Sequence, residues 1–305
     1  MEGNRAVLER VLKGLMDRYM ERVPDVKKIL EAMIREGAIS APEDIENDHI
    51  AFRTMGVPHL GIHSFEKIFL HYGYLKKDYY FFPEKKLNAY WYAPPEPKYP
   101  RIFVSELAVD MLSKQSQDII TRYTGEVGAD PVDALDLDDA KQTDAFLHSS
   151  LWRIPSLADY QALAAESEYA AWVIYNRYYL NHFTISVHHL KEGYNTVSDF
   201  NRFLERNGLK LNDAGGKIKI SRDGLLLQSA TVAGMVEAVF AGGERISIAG
   251  SYVEFAERKP LDAYAGLSPH EITRERRREG FETANADKIF ESTYSAQTTK
   301  GMKQN

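Results

Sequence analysis

The chain has 305 residues, of which 44% are hydrophobic and 27% charged. This composition is typical of a globular protein and excludes a disordered chain. The net charge is −6 and there is no cysteine, which argues against a nucleic-acid partner and excludes disulfides, thiolate zinc sites and iron–sulfur clusters.

The first segment of the chain is predicted to be helical. Apolar residues recur at helical spacing from Val7 to Met16, and a second amphipathic run covers Val26–Ile34. Gly37 follows as a stop signal. The first residues do not resemble a signal peptide, and no apolar run reaches the roughly 18 residues of a membrane span. We therefore expect a cytoplasmic protein without a membrane partner.

A strand with strict alternation comes next, at Asp48–Thr54. Ile50 and Phe52 form its apolar back, whereas His49 and Arg53 point to the opposite side, here called the front. Further predicted elements are a helix at 64–72, strands at 79–82, 87–92 and 101–107, and a helical stretch to residue 124.

The same order of elements returns after an acidic connector and a long predicted helix at Ser156–Leu180. In Asn181–His188, Phe183 and Ile185 belong to the apolar back, and His182 points to the front. A helix at 197–207 and strands near 217–221, 225–231 and 246–257 complete this second unit.

The repeated pattern predicts an α+β fold. It would contain paired βαβββ modules, with added N-terminal and inter-module helices. The predicted segments are a helical start (1–44), the first module with a trailing helix (45–124), the connector and long helix (125–180), the second module (181–260), and a C-terminal helical segment and tail (261–305). In the last segment, residues 269–278 are predicted to be helical, residues 285–294 to be ordered, and the end to be frayed.

Three residues of this pattern suit a divalent metal. His49 and His182 open equivalent strands, and Glu254 points with Tyr252 to the front of the last strand of the second module. Two imidazoles and one carboxylate form a facial triad that leaves other metal positions open, as non-haem Fe(II) requires. Zinc or Mn(II) could bind the same ligands. A single histidine is more commonly structural, but two at equivalent places in a repeat favour a metal site.

Other polar residues are candidates for positions around this site. Arg53 lies four residues after His49 on the same side, from which its guanidinium could hold a carboxylate or form a salt bridge at the rim. Glu106 closes the first module where Glu254 closes the second, so it could be a fourth ligand, a nearby base or an acid at the edge of the core. His188, at the end of its strand, could lie behind the ligands.

Several segments, in order along the chain, resemble the 2-oxoadipate dioxygenase/decarboxylase family, which has a vicinal oxygen chelate-like fold. They are Asp48–Thr54, Arg101–Leu107, Asn181–Thr184, Gln228–Thr231 and Asn285–Thr293. The resemblance implies that the paired modules form a curved mixed sheet around a metal site. It also implies that His49, His182 and Glu254 hold one Fe(II) and that Arg53 binds the substrate and is the catalytic residue.

The resemblance also implies the reaction. A small 2-oxo acid, 2-oxoadipate, and O2 would be converted into 2-hydroxyglutarate and CO2 in lysine breakdown. Independently of the resemblance, the candidates for positions behind the ligands are Glu106, Tyr252, Gln228, Ser229 and His188. For a dioxygenase we expect Glu106 not to coordinate the metal, because the substrate and O2 need three open positions.

Two alternatives and several details stay open at this point. A glyoxalase-like isomerase or lyase would need four protein ligands and no O2, so Glu106 would have to coordinate the metal. A non-catalytic metabolite-binding protein could keep the same fold without the metal. The exact 2-oxo acid, the metal in vivo and the oligomeric state are not fixed by the sequence.

Overall fold

The computed structural model describes residues 2–300, with side chains from residue 4 onward. Its strands are β1 (Asn47–Met55), β2 (Leu75–Phe82), β3 (Leu87–Ala93), β4 (Arg101–Leu107), β5 (His182–Ser186), β6 (Lys219–Ile220), β7 (Leu226–Ala230), β8 (Met235–Val239), β9 (Arg245–Ala249) and β10 (Tyr252–Arg258). Its α-helices are α1 (Glu2–Arg22), α2 (Pro24–Arg35), α3 (Ile62–His71), α4 (Lys114–Thr124), α5 (Ala140–Leu147), α6 (Leu157–Glu166), α7 (Glu168–Asn176), α8 (Val197–Arg206), α9 (Thr283–Phe290) and α10 (Ser295–Thr298). The predicted frayed end, residues 301–305, lies outside the described residues.

Eight strands form one mixed sheet in the order β2-β3-β4-β1-β5-β10-β7-β6, and β8 pairs with β9 in a separate hairpin. Module one consists of β1, α3 and β2–β4. Module two consists of β5, α8, β6, β7 and β10. The first and last strands of each module run parallel. β1 and β5 pair antiparallel in the middle of the sheet and join the modules. The five-segment division of the chain stays a prediction.

The back of the sheet packs on the two module helices. The ring of Phe52 on β1 lies 4.7 Å from that of Phe65 on α3, measured between centroids. In module two, the ring of Phe255 on β10 lies 5.1 Å from that of Phe200 on α8. Burying each such side chain contributes about 2–3 kcal/mol to folding. The alternating apolar residues thereby turn the opposite face of both strands to the front.

A C-terminal segment covers the front. Helix α9 contacts β2 near one edge of the sheet and β6 and β7 near the other. Arg258, at the end of β10, holds the start of this segment, since its Nη1 donates to the carbonyl oxygens of Gly280 at 2.7 Å and Arg278 at 3.1 Å. The front is therefore enclosed between the sheet and α9.

The prediction of one long helix at Ser156–Leu180 is wrong, because the structure has two separate helices there, α6 and α7. Ser167 between them has an extended backbone, with φ −147° and ψ 103°. Its hydroxyl accepts a hydrogen bond from the Ala170 N–H at 3.1 Å and so starts a new helix.

The predicted strand at 246–257 is in fact two strands, β9 and β10, which belong to different sheets. Gly250 and Ser251 separate them. The Gly250 N–H bonds to the carbonyl of Gly234 at 2.9 Å and closes the β8–β9 hairpin, whose first strand the sequence pattern did not indicate.

The predicted helix at 269–278 is also wrong, because this stretch contains only two short 3-10 turns. Its polar groups bond elsewhere: Arg277 donates to the Arg258 carbonyl at 2.7 Å, and the Arg278 N–H donates to Lys259 at 3.0 Å. These contacts hold the segment beside the end of β10. Across residues 2–300, no helix is both long enough and apolar enough to cross a membrane.

Candidate metal and substrate site

The front of β1, β5 and β10 brings three ligand atoms together. His49 Nε2 and His182 Nε2 are 3.3 Å apart. Glu254 Oε2 lies 3.5 Å from the first and 3.1 Å from the second. Two ligands at right angles, each about 2.1 Å from a metal, are about 3 Å apart. All three residues are buried, so the donor types and their spacing fit a divalent metal ion.

A neighbouring side chain orients each ligand. Asp48 Oδ1 lies 2.8 Å from His49 Nδ1, and Asn181 Oδ1 lies 3.1 Å from His182 Nδ1. Both rings therefore turn Nε2 toward the site, an arrangement that fixes the tautomer of metal-binding histidines. The Gln228 amide donates to Glu254 Oε1 at 2.6 Å, which leaves Oε2 for a metal.

Asp48 is itself held by two arginines. Arg258 Nε lies 2.6 Å and Arg101 Nη1 3.2 Å from Asp48 Oδ2. Burial acts to raise the pKa of Asp48, but the two guanidinium groups outweigh it and hold the pKa well below its usual value. Asp48 is therefore a carboxylate that accepts a hydrogen bond from His49.

The protonation states suit metal binding. Burial acts to raise the pKa of Glu254, but His49 and His182 outweigh it and lower the pKa, so the carboxylate stays charged. Burial lowers the pKa of His182. Burial also acts to lower the pKa of His49, but Glu254 and Asp48 raise it overall. A divalent ion would displace that proton, since metal and proton compete for the same nitrogen.

Arg53 is buried beside this group. Its Nη1 donates to Thr293 Oγ1 at 2.9 Å and its Nη2 to the Phe290 carbonyl at 3.1 Å. The rings of Tyr169 and Trp172 lie 5.1 Å from its Cζ. Among residues 2–300 no carboxylate forms an ion pair with Arg53, and its Nε has no hydrogen-bond partner. A buried cation of this kind is costly unless an anion joins it.

A small cavity of about 20 Å³ lies between the ligands and α9. Its wall beyond the polar residues is apolar and comes largely from the C-terminal segment. The apolar lining residues are Phe103, Phe281, Ala286, Ile289 and Phe290. The cavity is therefore polar at the end formed by the ligands and apolar on the opposite wall.

Glu106 does not belong to this site, so its expected position near the metal is wrong. Ala51 on β1 is level with Phe103 on β4, and Phe103 lines the cavity. Glu106, an odd number of residues further on, points to the back. There its carboxylate accepts a hydrogen bond from the Ile62 N–H at 2.7 Å, at the start of α3.

Ser229 and His188 also lie away from the ligands, contrary to expectation. Ser229 Oγ donates to Asn201 Oδ1 on α8 at 2.7 Å and is thus on the back of the sheet. His188 lies in a 3-10 turn after β5, where its Nδ1 accepts a hydrogen bond from the Arg258 N–H at 3.2 Å. Gln228 and Tyr252 do lie at the site: the Tyr252 ring stacks on His182, with centroids 4.8 Å apart.

Sequence reasoning named Gln228, which orients Glu254, but it missed the residues that orient the two histidines and those that cover the site. Asp48 and Asn181 were available as a signal, because each directly precedes a candidate ligand. Phe281 lies with its ring centroid 4.8 Å from that of His49, and Thr293 bonds to Arg53. Their distance along the chain left no local pattern that connects them to the site.

Comparison with known proteins gives the family. The family model described as 2-oxoadipate dioxygenase/decarboxylase matches residues 11–271. The chain belongs to this family. The chloroplastic 2-oxoadipate dioxygenase/decarboxylase of Arabidopsis thaliana is 43% identical over 293 residues, which cover 92% of this chain and 76% of that protein. The chloroplastic/amyloplastic protein of the same name from Oryza sativa is 42% identical over 310 residues, covering 98% and 82%.

Solved structures agree with this assignment. Hydroxyglutarate synthase from Oryza sativa, in complex with 2-oxoadipate, has a TM-score of 0.89 and 41% identity, and the match covers 98% of this chain and 96% of that chain. A glyoxalase superfamily protein from Ralstonia eutropha, at 22% identity and a TM-score of 0.70 over 89% and 84% of the chains, supports the fold alone. The predicted family, the paired-module fold and the assignment as a dioxygenase are therefore confirmed. The plant relatives are named chloroplastic, which does not match the predicted cytoplasm.

Proposed function

We propose that this protein is an Fe(II)-dependent dioxygenase/decarboxylase of 2-oxoadipate, with His49, His182 and Glu254 as the metal ligands and Arg53 as the substrate-binding residue. One observation carries the proposal: three buried metal-binding side chains converge beside a buried arginine with no anionic partner among the described residues. The related rice enzyme, whose structure contains 2-oxoadipate, supports the choice of substrate.

The chemistry of 2-oxoadipate matches both halves of the site. Its 2-oxo carboxylate end offers two oxygens that suit the open positions of a three-ligand metal. Its second carboxylate would neutralise Arg53 through a charge-assisted contact. A substrate with charge at both ends would thus be held at two points, with its carbon chain against Phe103 and Phe290.

Fe(II) bound at this site would supply the activation of O2 and the oxidative loss of CO2. The overall change is 2-oxoadipate plus O2 to 2-hydroxyglutarate plus CO2, in which all atoms balance. The protein would hold its ligands in place through Asp48, Asn181 and Gln228, because oriented ligands need no rearrangement on binding. Phe281 and Phe290 would exclude water from the reacting groups.

The register of the sheet disfavours the four-ligand isomerase. In module two, Tyr252 is level with His182, and Glu254 follows two residues later on the same strand. In module one, Arg101 is level with His49, and the residue two positions later is Phe103. A phenyl ring cannot coordinate, so a fourth protein ligand is missing where the repeat would provide one. Three ligands leave room for a chelating substrate and O2.

The biological setting rests on the resemblance. We place the reaction in lysine breakdown, with 2-oxoadipate and O2 as the small-molecule partners. The cytoplasm remains our prediction for the location, and fractionation of the source cells would decide between it and an organelle.

The proposal is tested with metal-free protein reconstituted separately with Fe(II), Mn(II) and Zn(II). We expect only Fe(II) to support O2 uptake on addition of 2-oxoadipate, with equal amounts of O2 consumed, CO2 released and 2-hydroxyglutarate formed. His182→Ala serves as the control without a complete ligand set. Turnover of 2-oxoadipate without O2, or activity with Zn(II) equal to that with Fe(II), would contradict the proposal.

A further inference from the structure

Two buried hydrogen-bond donors near each other have no acceptor. They are Arg53 Nε and the hydroxyl of Tyr252, and both side chains are 1% exposed. Tyr252 is level with His182 on β5, which is level with Ala51 on β1, and Arg53 stands two residues after Ala51 on the same side of the sheet. Burial raises the pKa of Tyr252, and Arg53 counteracts part of that rise through its charge and a side-chain contact. No hydrogen bond of acceptable geometry joins them. Buried unpaired donors are rare, and each requires a physical explanation.

The Tyr252 ring is fixed in place. It stacks on His182 at an interplanar angle of 30° and packs with Ala230 and Ile289. Its own backbone carbonyl accepts a hydrogen bond from the Tyr19 hydroxyl. The ring lines the cavity and is held on both sides, so its hydroxyl cannot turn out to solvent.

We propose that the Tyr252 hydroxyl and Arg53 Nε together bind the distal carboxylate of a dicarboxylic 2-oxo acid. This inference rests on the proposed function, and it adds a specificity-determining residue. A carboxylate has about four lone-pair sites and can accept from both donors at once. A 2-oxo acid without the second carboxylate would leave both donors unpaired, which is how a site rejects an analogue strongly.

The two donors come from different modules. Arg53 lies on β1 and Tyr252 on β10, on either side of β5. A dicarboxylate of the right length would therefore connect the modules, whereas a shorter one could not reach the pair while bound to the metal. The site would therefore select a substrate by its chain length and by its second carboxylate at the same time.

Tyr252→Phe tests this, because it removes the hydroxyl and leaves the stacked ring. The metal-loaded protein is titrated without O2 with 2-oxoadipate and with 2-oxohexanoate, which has the same length but one carboxylate. We expect binding of 2-oxoadipate to weaken by roughly 10- to 100-fold and that of 2-oxohexanoate to change by less than about 3-fold. In turnover, KM should rise more than kcat falls.

Stability separates this role from a structural one. Because the hydroxyl is buried and unpaired, its removal should leave Tm unchanged or raise it, with metal content unaltered. The matched control is Tyr74→Phe, since the buried Tyr74 hydroxyl donates to the Pro100 carbonyl at 3.0 Å. That variant should lose Tm and keep the binding of both acids.

The inference is overturned if Tyr252→Phe keeps the full preference for 2-oxoadipate, or if the wild type binds both acids equally. A wild type that prefers 2-oxoadipate, and loses this preference in the variant, supports the inference even if it releases no CO2 in the presence of O2. That last result would contradict the proposed function alone.

Discussion

The two modules present equivalent backbone positions around the site but supply different chemistry. His49 and His182 occupy the same place in the two parallel strand pairs. Two positions beyond the residue level with each histidine, module one has Phe103 and module two has Glu254. The repeat therefore provides two imidazoles but only one carboxylate. In the proposed metal site this asymmetry would leave coordination positions open.

The modules also differ in where they carry a positive charge, at the position four residues after each histidine. Four residues after the histidine, module one has Arg53 and module two has Ser186. Module two thus contributes the acid of the proposed metal site, and module one the cation of the proposed substrate contact. A repeated backbone can thus divide metal binding and substrate binding between its halves. It needs a different residue at only two pairs of equivalent positions, one pair for the acid and one for the cation.

Removing the acid of module two should have the largest effect. We expect Glu254→Ala to lose metal affinity by at least about 100-fold and to show no turnover, since only two imidazoles remain. Elemental analysis after dialysis measures the metal. The matched control is Glu257→Ala on the same strand, whose carboxylate accepts from the Val197 N–H at 2.9 Å. It should lower stability and keep the metal; an equal metal loss in both would refute the assignment.

Changing the cation of module one should come next. Arg53→Lys should reduce kcat/KM for 2-oxoadipate by about 30- to 1,000-fold, or about 2–4 kcal/mol, because an ammonium cannot replace the planar guanidinium. Metal content should stay the same. With 2-oxohexanoate the loss should be small. Equal losses on both acids would mean that Arg53 serves the fold instead of a carboxylate.

Making module one resemble module two should have a smaller effect on activity. Phe103→Glu would place a second carboxylate opposite Glu254 and occupy a position that the 2-oxo acid or O2 needs. We expect metal to be retained and O2-dependent turnover to fall on the order of 100-fold. Phe103→Leu controls for the lost aromatic packing. If both variants lose the same activity, the loss comes from aromatic packing, and Phe103 gives no support to the three-ligand interpretation.

Changing the residue before each histidine should have the smallest effect on the reaction itself, because that residue acts only through the histidine. Asp48→Asn makes module one like module two, where Asn181 has this place, and should weaken metal binding by about 10- to 100-fold. It also leaves Arg101 and Arg258 without their shared carboxylate, which should destabilise the fold by about 3–5 kcal/mol.

The pH dependence of this effect has a definite sign. The folded-state pKa of Asp48 lies below its ordinary value of about 3.9. Its charge therefore stabilises the wild type above that pH, and the contribution is lost as pH falls through the folded-state pKa. Denaturation curves from pH 7 down to about 2 should show a smaller acid loss in Asp48→Asn than in the wild type. Parallel curves would contradict this.

Strand alternation accounts for what could be predicted from the sequence. His49, His182 and Glu254 converge because apolar residues alternate with them and fix which side is buried on the helices. The same rule, applied from Phe103, would have turned Glu106 to the back. The prediction matched Glu106 to Glu254 because each lies on the last strand of its module. It should have matched residues by their distance from the position level with each histidine.

Other features lay beyond local patterns. Asp48 neighbours His49 and would be expected on the opposite side, but the pairing of β1 with β5 shifts register between Asn47 and Ile50. This irregularity lets the carboxylate reach the ring. The break at Ser167 and the non-helical stretch at 269–278 depend on tertiary hydrogen bonds, which no periodicity reports.

The position of the covering segment sets an order of events during protein synthesis. Arg53 and Thr293, which meet in the folded protein, are 240 residues apart. All three proposed metal ligands have been synthesised once β10 is complete, about 35 residues before Thr293. At about 5–20 residues per second, the growing chain therefore spends a few seconds with every ligand made and its cover still to come.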